Sequence, residues 1–177
     1  TCPVSKLLKA GRKVAICEQV EEARPGQLVR REVTQILSPG THFDERILAA
    51  ERNNFLCSVY AAGETFGLAA VDLTTGEFKV TELQGSTALA AEFDRLRPAE
   101  IIYPDDAAAL PNLLQGGRWV VNPHEGWVFA PETAQFTLRD HFGVVSLDGF
   151  GLRNAPAAIG AAGSGAKDAA LAGSCAR

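Results

Sequence analysis

The chain has 177 residues, of which 46% are hydrophobic, and a formal net charge of −4. The apolar content is sufficient for a hydrophobic core, and the length favours one domain, or one domain and part of another. The acidic balance argues against binding of nucleic acid by bulk electrostatics. A signal peptide and a long apolar span are both absent, so we expect a cytoplasmic location without membrane contact.

The charge is unevenly distributed. Residues 1–35 contain seven basic and four acidic side chains, whereas residues 54–158 contain six and thirteen. Because Lys and Arg dominate affinity for phosphate, any contact with a DNA backbone is expected in the first part, where Arg30 and Arg31 are the candidates. A solvent-exposed strand face explains these two side chains equally well. The acidic part is better suited to a protein partner.

The first elements are a helix end and two strands. Lys6–Ala10 is predicted to be the end of a helix that stops at Gly11, since glycine favours the left-handed conformation found there. Val14–Val20 and Leu28–Leu37 are predicted strands. The turn that begins at Ser38 is the first candidate domain boundary.

The remainder predicts three strands followed by alternating helices and strands. Phe55–Tyr60, Phe66–Leu73 and Glu77–Leu83 are connected by short turns, which predicts an antiparallel meander. A short helix is predicted before them, over Asp44–Glu51. The later predicted elements are the helices Thr87–Arg97, Asp106–Leu114 and Glu132–Phe142 and the strands Glu100–Tyr103 and Trp119–Val121. This order indicates an α/β fold with a mixed sheet and flanking helices.

Two helices carry apolar stripes. Ser86 is the predicted N-cap of the first, whose stripe is Leu89, Phe93 and Leu96. In the last helix, Ala134, Leu138 and Phe142 share a face.

Phe136 lies about 200° around the last helix from Ala134 and should point outward. With Gln135 and Arg139 it forms a candidate partner surface, because exposed aromatic side chains often anchor partners. The alternative is that Phe136 covers the neighbouring loop Trp127-Val128.

Six sequence blocks occur in an order that resembles the bacterial MutS family of DNA mismatch repair proteins. They are KLLKAGRKVAICEQV, VRREVTQILSPGT, DERILAAERNNFL, FGLAAVDLTTGEF, RPAEIIYP and DGFGLRNAP, and all six lie within residues 6–160. The resemblance implies that residues 1–41 are the C-terminal part of a mismatch-binding domain and that residues 42–158 are an RNase H-like connector domain. Residues 159–177 are then a stub of the lever region or a non-native tail.

The resemblance implies that the full-length protein is an ATP-driven homodimeric clamp that uses ATP and Mg, detects mispaired double-stranded DNA and contacts MutL. The family's Phe-x-Glu wedge is not found upstream of Lys6, and Phe43-Asp44-Glu45 lies beyond that domain and is interpreted as coincidence. No Gly-Lys pair occurs, so the phosphate-binding loop of an ATPase is missing. We therefore expect a fragment that connects domains and binds a partner, without catalytic, cofactor-binding or metal-binding residues.

The alternative function is a metal-dependent RNase H-like nuclease built around Asp72. Two-metal chemistry needs several convergent carboxylates, for which Glu77, Glu100 and Asp148 are the proposed partners. The other interpretation is that Asp72 caps the turn that follows it. Convergence of at least three carboxylates would favour the nuclease.

Cysteines and small residues complete the predictions. Cys17 and Cys57 lie in apolar strand patterns and are expected to be buried as small hydrophobes, without a disulfide or zinc site. Gly163-Ser164-Gly165 is interpreted as part of a flexible small-residue tail. The histidines His42, His124 and His141 are isolated in sequence and are predicted to be surface or boundary residues.

Overall fold

The structure, a computed structural model, describes the backbone of residues 3–21, 28–40, 54–72 and 74–173. The side chains of Ser5, Lys9 and residues 170–173 are not among the described ones. The helix predicted at Asp44–Glu51 lies outside these ranges, as do His42 and the Phe-Asp-Glu sequence at residues 43–45.

The first segment contains helix α1 (Pro3–Lys9) and the strands β1 (Val14–Gln19) and β2 (Arg31–Leu37). The strands form a two-stranded antiparallel sheet. Gly11 follows the helix with φ +74°, which is the left-handed conformation predicted for it. The second strand begins at Arg31 rather than at Leu28.

Cys17 is exposed, so its predicted burial is wrong. The physical reason is local. The side chains of β1 alternate, with Val14 and Ile16 half-buried and Ala15 and Cys17 on the opposite, exposed face.

The main sheet has five strands in the order β5-β4-β3-β6-β7. Their ranges are β3 Phe55–Ala62, β4 Thr65–Asp72, β5 Glu77–Gln84, β6 Glu100–Pro104 and β7 Val120–His124. The first three form the predicted antiparallel meander, and β6 and β7 continue the sheet in parallel. The mixed sheet is therefore confirmed.

One face of the sheet is covered by α2 (Gly85–Leu96) and α3 (Leu110–Leu114). The predicted stripe of α2 is buried, with Leu89, Phe93 and Leu96 in the core. The predicted N-cap at Ser86 is wrong, because β5 leads directly into the helix and the residue before it is Gln84, which makes no side-chain cap.

The opposite face is covered by α4 (Pro131–Phe142) and α5 (Pro156–Gly173). The flexible tail predicted around Gly163-Ser164-Gly165 is wrong, because these residues lie within α5. Small residues on α5 and on the strand beneath it allow the helix to approach the rest of the domain closely. A Cβ atom at Gly67 of β4 would lie 1.8 Å from the carbonyl oxygen of Ala157, and one at Gly163 would lie 2.4 Å from Cβ of Ala134.

The start of α5 is held by a side chain from the sheet. Glu82 of β5 accepts hydrogen bonds from the backbone N–H groups of Ala157 and Ala158 at 2.9 and 3.1 Å. A carboxylate at this position also interacts favourably with the helix dipole. The helix continues through the predicted boundary between residues 158 and 159, and the domain limits stay predictions. Within the described ranges, no helix combines the length and apolar character needed to cross a membrane.

Candidate functional site

Asp72 closes the turn between β4 and β5. Its Oδ1 accepts hydrogen bonds from the backbone N–H and the hydroxyl of Thr74, at 2.9 and 2.6 Å. The side chain is fully buried, and its Oδ2 has no hydrogen-bond partner among the described residues. The interpretation of Asp72 as a turn cap is confirmed by these bonds.

The carboxylates proposed for the nuclease do not converge on Asp72. Glu77 is its cross-strand neighbour but is paired with Lys79 at 2.6 Å. Glu100 lies on β6, on the other side of β3, and Asp148 is paired with Arg153 at 3.2 Å. In the described part of the chain, no group of three or more potential metal ligands is formed. The geometry therefore gives the nuclease alternative no support.

Arg30 and Arg31 lie at the start of β2, and both are exposed. Arg30 makes an ion pair of 2.5 Å with Glu32, whose side chain is also exposed. An exposed pair of this kind contributes little stability and leaves the guanidinium accessible. The position is compatible with both interpretations, so the DNA contact stays a prediction.

Helix α4 has a buried and an exposed side. Ala134 and Leu138 are completely buried, while Phe136 is 71% exposed and Gln135 and Arg139 are exposed beside it. The outward direction predicted for Phe136 is confirmed. We call Gln135, Phe136 and Arg139 the α4 surface. Its role in partner binding stays a prediction.

Phe142 only partly follows the predicted stripe, because it is 39% exposed. It stands at the end of α4 between Phe78 of β5 and Phe150, with ring centroids 6.0 and 5.5 Å away. This aromatic row closes the edge of the core.

The first segment and the main sheet meet at a buried carboxylate. Glu100 is 1% exposed; its Oε2 accepts a hydrogen bond of 3.0 Å from the backbone N–H of Gly40, and its Oε1 accepts one of 2.7 Å from the side-chain amide of Asn122. Asn54 also donates to the carbonyl of Pro39 at 3.2 Å. These contacts attach the end of the first segment to the sheet.

Three titratable side chains, Lys13, His124 and Asp168, lie near the same contact between the first segment and the sheet. Nε2 of His124 is 3.3 Å from Nζ of Lys13 and 3.5 Å from a carboxylate oxygen of Asp168 on α5. Burial raises the pKa of Asp168 above its ordinary value, while His124 and then Lys13 oppose that shift. His124 thus occupies a boundary, as predicted. We call Lys13, Gly40, Glu100, His124 and Asp168 the junction.

Comparison with known proteins gives two family-model matches, one after the other along the chain. The family model MutS domain I matches residues 3–46, and MutS domain II matches residues 54–165. The chain belongs to the MutS family. It is 43% identical over 163 residues to the DNA mismatch repair protein MutS of Solibacter usitatus (strain Ellin6076), and 41% identical over 167 residues to that of Myxococcus xanthus (strain DK1622). Each alignment covers 91% of this chain and 19% of the relative, so the chain spans about a fifth of their length.

The two MutS matches show which parts of the chain meet at the junction. Lys13 and Gly40 lie in the segment that matches domain I, and Glu100 and His124 lie in the segment that matches domain II. Asp168 lies three residues after the end of the second match, on α5, whose first part is inside that match. The junction therefore links the two matched segments of this MutS chain to each other and to α5.

Sequence reasoning missed the junction but predicted the burial of Cys57. Residues far apart in sequence form the junction, and no local sequence pattern indicates it. Cys57 is completely buried in β3, as predicted. Burial, with a smaller contribution from Glu92, raises the pKa of its thiol to about 12, so it is protonated and unreactive at neutral pH.

Proposed function

We propose that this MutS-family chain comprises the end of a mismatch-binding domain and an RNase H-like connector domain, and that it acts as a structural connector without catalysis of its own. The sheet order supports the RNase H-like assignment, since a three-stranded antiparallel meander is extended by two parallel strands with helices on both faces. The junction supports the connecting role because it links both matched segments through a buried carboxylate.

The partner function rests on one observation, the exposure of Phe136 on a helix whose other side is buried. We propose that the α4 surface binds MutL. The acidic balance of residues 54–158 favours a protein rather than DNA as the partner of this domain. In this view Phe136 supplies the apolar anchor, and Gln135 and Arg139 supply hydrogen bonds at its rim.

The test is a binding titration between the chain and MutL of the same organism, with Phe136→Ala as the variant. We expect the association to weaken at least tenfold. Leu113→Ala is the matched control, since Leu113 is another exposed apolar residue, 43% accessible, on α3 across the sheet. Equal binding by the wild type and Phe136→Ala would reject the α4 surface as the site.

We also propose that the full-length protein recognises mismatched double-stranded DNA as a homodimer in the cytoplasm, using ATP and Mg at a site outside this chain. Both relatives are DNA mismatch repair proteins, which supports DNA mismatch repair as the process. Arg30 and Arg31 are the proposed backbone contacts within this chain. We expect the chain alone to bind DNA weakly and without mismatch preference.

Titration of matched and mismatched duplexes at two salt concentrations tests the DNA proposal. Any binding should weaken as salt rises and should weaken further in Arg30→Glu/Arg31→Glu. A tenfold preference for the mismatch, about 1.4 kcal/mol, would show that a recognition element is present in this chain.

A further inference from the structure

One ring nitrogen of His124 faces two charged side chains of opposite sign. Its Nε2 lies 3.3 Å from Nζ of Lys13, which directly precedes β1, and 3.5 Å from a carboxylate oxygen of Asp168 on α5. Lys13 belongs to the segment that matches MutS domain I, and His124 to the segment that matches domain II. The nitrogen therefore lies where the first segment, the main sheet and α5 meet.

The two partners of Nε2 require opposite states of that nitrogen. An ammonium group has hydrogen-bond donors only, so Lys13 bonds to Nε2 only when the nitrogen carries no proton. An ionised carboxylate only accepts, so Asp168 bonds to Nε2 only when the nitrogen carries a proton. One nitrogen cannot satisfy both charged partners at once. The hydrogen-bonded distance to Lys13 matches the state without a proton.

The other charged groups around His124 have partners of their own. Asp105, Glu125 and Lys167 line the same cavity as His124 and Asp168, and Glu100 influences Asp168. Each of these four is engaged elsewhere: Asp105 with the N–H of Gly126, Glu125 with the indole N–H of Trp127, Lys167 with the ring of Trp127, and Glu100 with Gly40 and Asn122. Among the described residues, this leaves Lys13 and Asp168 as the charged groups in contact with Nε2.

A proton on the ring exchanges one partner for the other. Imidazole groups as a class change charge between about pH 5 and pH 8. When a proton from solvent binds Nε2, the new N–H can be donated to Asp168, and the positive ring repels the ammonium group of Lys13. His124 already lowers the pKa of Asp168 against the effect of burial, which is the attraction that a charged ring exerts on the carboxylate.

We propose that His124 is a proton-dependent switch between the first segment and the main sheet. Without a proton on Nε2 it holds Lys13, and with one it releases Lys13 and pairs with Asp168. The bond between Glu100 and Gly40 does not involve His124, so the first segment stays attached there and becomes freer at Lys13. The inference rests on the contacts of the junction and does not depend on MutL or DNA binding.

The test is an NMR titration of the 15N-labelled chain from about pH 8.5 to about pH 5, the range that spans imidazole protonation. We expect the ring 15N shift of Nε2 in His124 to be that of an unprotonated nitrogen at the start. The backbone amides of Arg12, Lys13 and Val14 should then shift with the same midpoint as the ring. His124→Gln should abolish this response, because an amide side chain does not change charge.

The variant His141→Gln is the matched control. His141 is an exposed histidine on α4, so its removal takes away one imidazole without touching the junction. The amides of residues 12–14 should respond to pH in this variant as they do in the wild type. A response that disappears equally in both glutamine variants would overturn the assignment to His124.

Two further variants distinguish a switch from simple packing at the junction. Asp168→Asn removes the anionic partner and should lower the midpoint of the His124 ring titration by about half a pH unit or more. Lys13→Met removes the cation and should raise that midpoint by a similar amount. The proposal fails if either variant leaves the midpoint unchanged, if Nε2 carries a proton at about pH 8.5, or if the amides of residues 12–14 do not follow the ring.

Discussion

The two faces of the five-stranded sheet are packed by different means. Under α2 and α3 the core consists of large side chains, among them Leu89, Phe93, Ile101, Leu110 and Leu114. Under α4 and α5 it consists mainly of alanines, among them Ala69, Ala134, Ala161, Ala162 and Ala166, with glycines at the closest contacts. The first face buries much apolar area per residue, whereas the second brings backbones close together.

The difference determines which mutations each face tolerates. Removing atoms from the large-residue face leaves a cavity and loses buried area. Adding atoms at the closest contacts of the small-residue face, such as Gly163, forces a helix away from its neighbours, because these contacts leave no space. Mutations that remove atoms should therefore be most destabilising on the large-residue face. Mutations that add atoms should be most destabilising at the closest contacts of the small-residue face.

Phe93→Ala should give the largest loss of stability. Phe93 is 2% exposed and packs against Trp119, so truncation should lower the free energy of unfolding by about 3–5 kcal/mol. Urea denaturation measures the loss, with Leu113→Ala as a partly exposed control on the same side. A loss below about 1 kcal/mol would mean that this face is not the main apolar core.

Gly163→Ala tests the opposite rule on the other face. The new Cβ atom would lie 2.4 and 2.5 Å from Cβ and Cα of Ala134, so α5 and α4 must separate. We expect a loss of about 1–3 kcal/mol in the same denaturation experiment, although alanine is the better helix former. A more stable Gly163→Ala protein would contradict the close approach of these two helices.

Glu100→Ala tests the buried polar contact on the α5 side. The substitution removes the acceptor of the Gly40 N–H and of the Asn122 amide. Leaving a buried donor unsatisfied costs about 1–3 kcal/mol. Hydrogen exchange should show faster exchange at the Gly40 amide, with the amides of β3 and β4 affected less. Unchanged exchange at Gly40 would show that the junction does not hold the first segment.

The same contrast explains which parts of the fold could be predicted from the sequence. The stripe Leu89, Phe93 and Leu96 has a clear helical period, and it was predicted with its burial. The residues of α5 are so small that apolar periodicity is weak, and the segment was interpreted as a tail. Its helix is stabilised by close contacts and by the Glu82 cap, which come from distant parts of the chain.

The site residues divide in a similar way. The outward direction of Phe136 follows from helical geometry and was predicted. The turn bond of Asp72 is local in sequence and was also predicted. The junction joins Lys13, Gly40, Glu100, His124 and Asp168. The first and last of these residues are 155 positions apart in sequence, from 13 to 168, so no local pattern could have indicated their contact.

Gly165→Ala should have a small effect of the opposite sign to Gly163→Ala in the same helix. Its Cβ atom would lie 3.5 Å from Cβ of Ser58 and 3.7 Å from Cβ of Ala69, which are ordinary contact distances. Removing a glycine from a helix interior should then stabilise the domain by about 0.5–1 kcal/mol. Thermal unfolding of the two variants side by side measures the difference. A destabilised Gly165→Ala would mean that the whole of α5 is packed as tightly as Gly163.

The most direct test of the account compares Phe136→Ala with Leu138→Ala on helix α4. Phe136 is 71% exposed and Leu138 is fully buried, so we predict a stability change within about 0.5 kcal/mol for the first and a loss of about 2–5 kcal/mol for the second. Measured with MutL under conditions in which both variants are folded, Phe136→Ala should lose the association and Leu138→Ala should retain it. Equal, large destabilisation by both, or unchanged MutL binding by Phe136→Ala, would contradict the proposal that this helix has one side for the core and one for a partner.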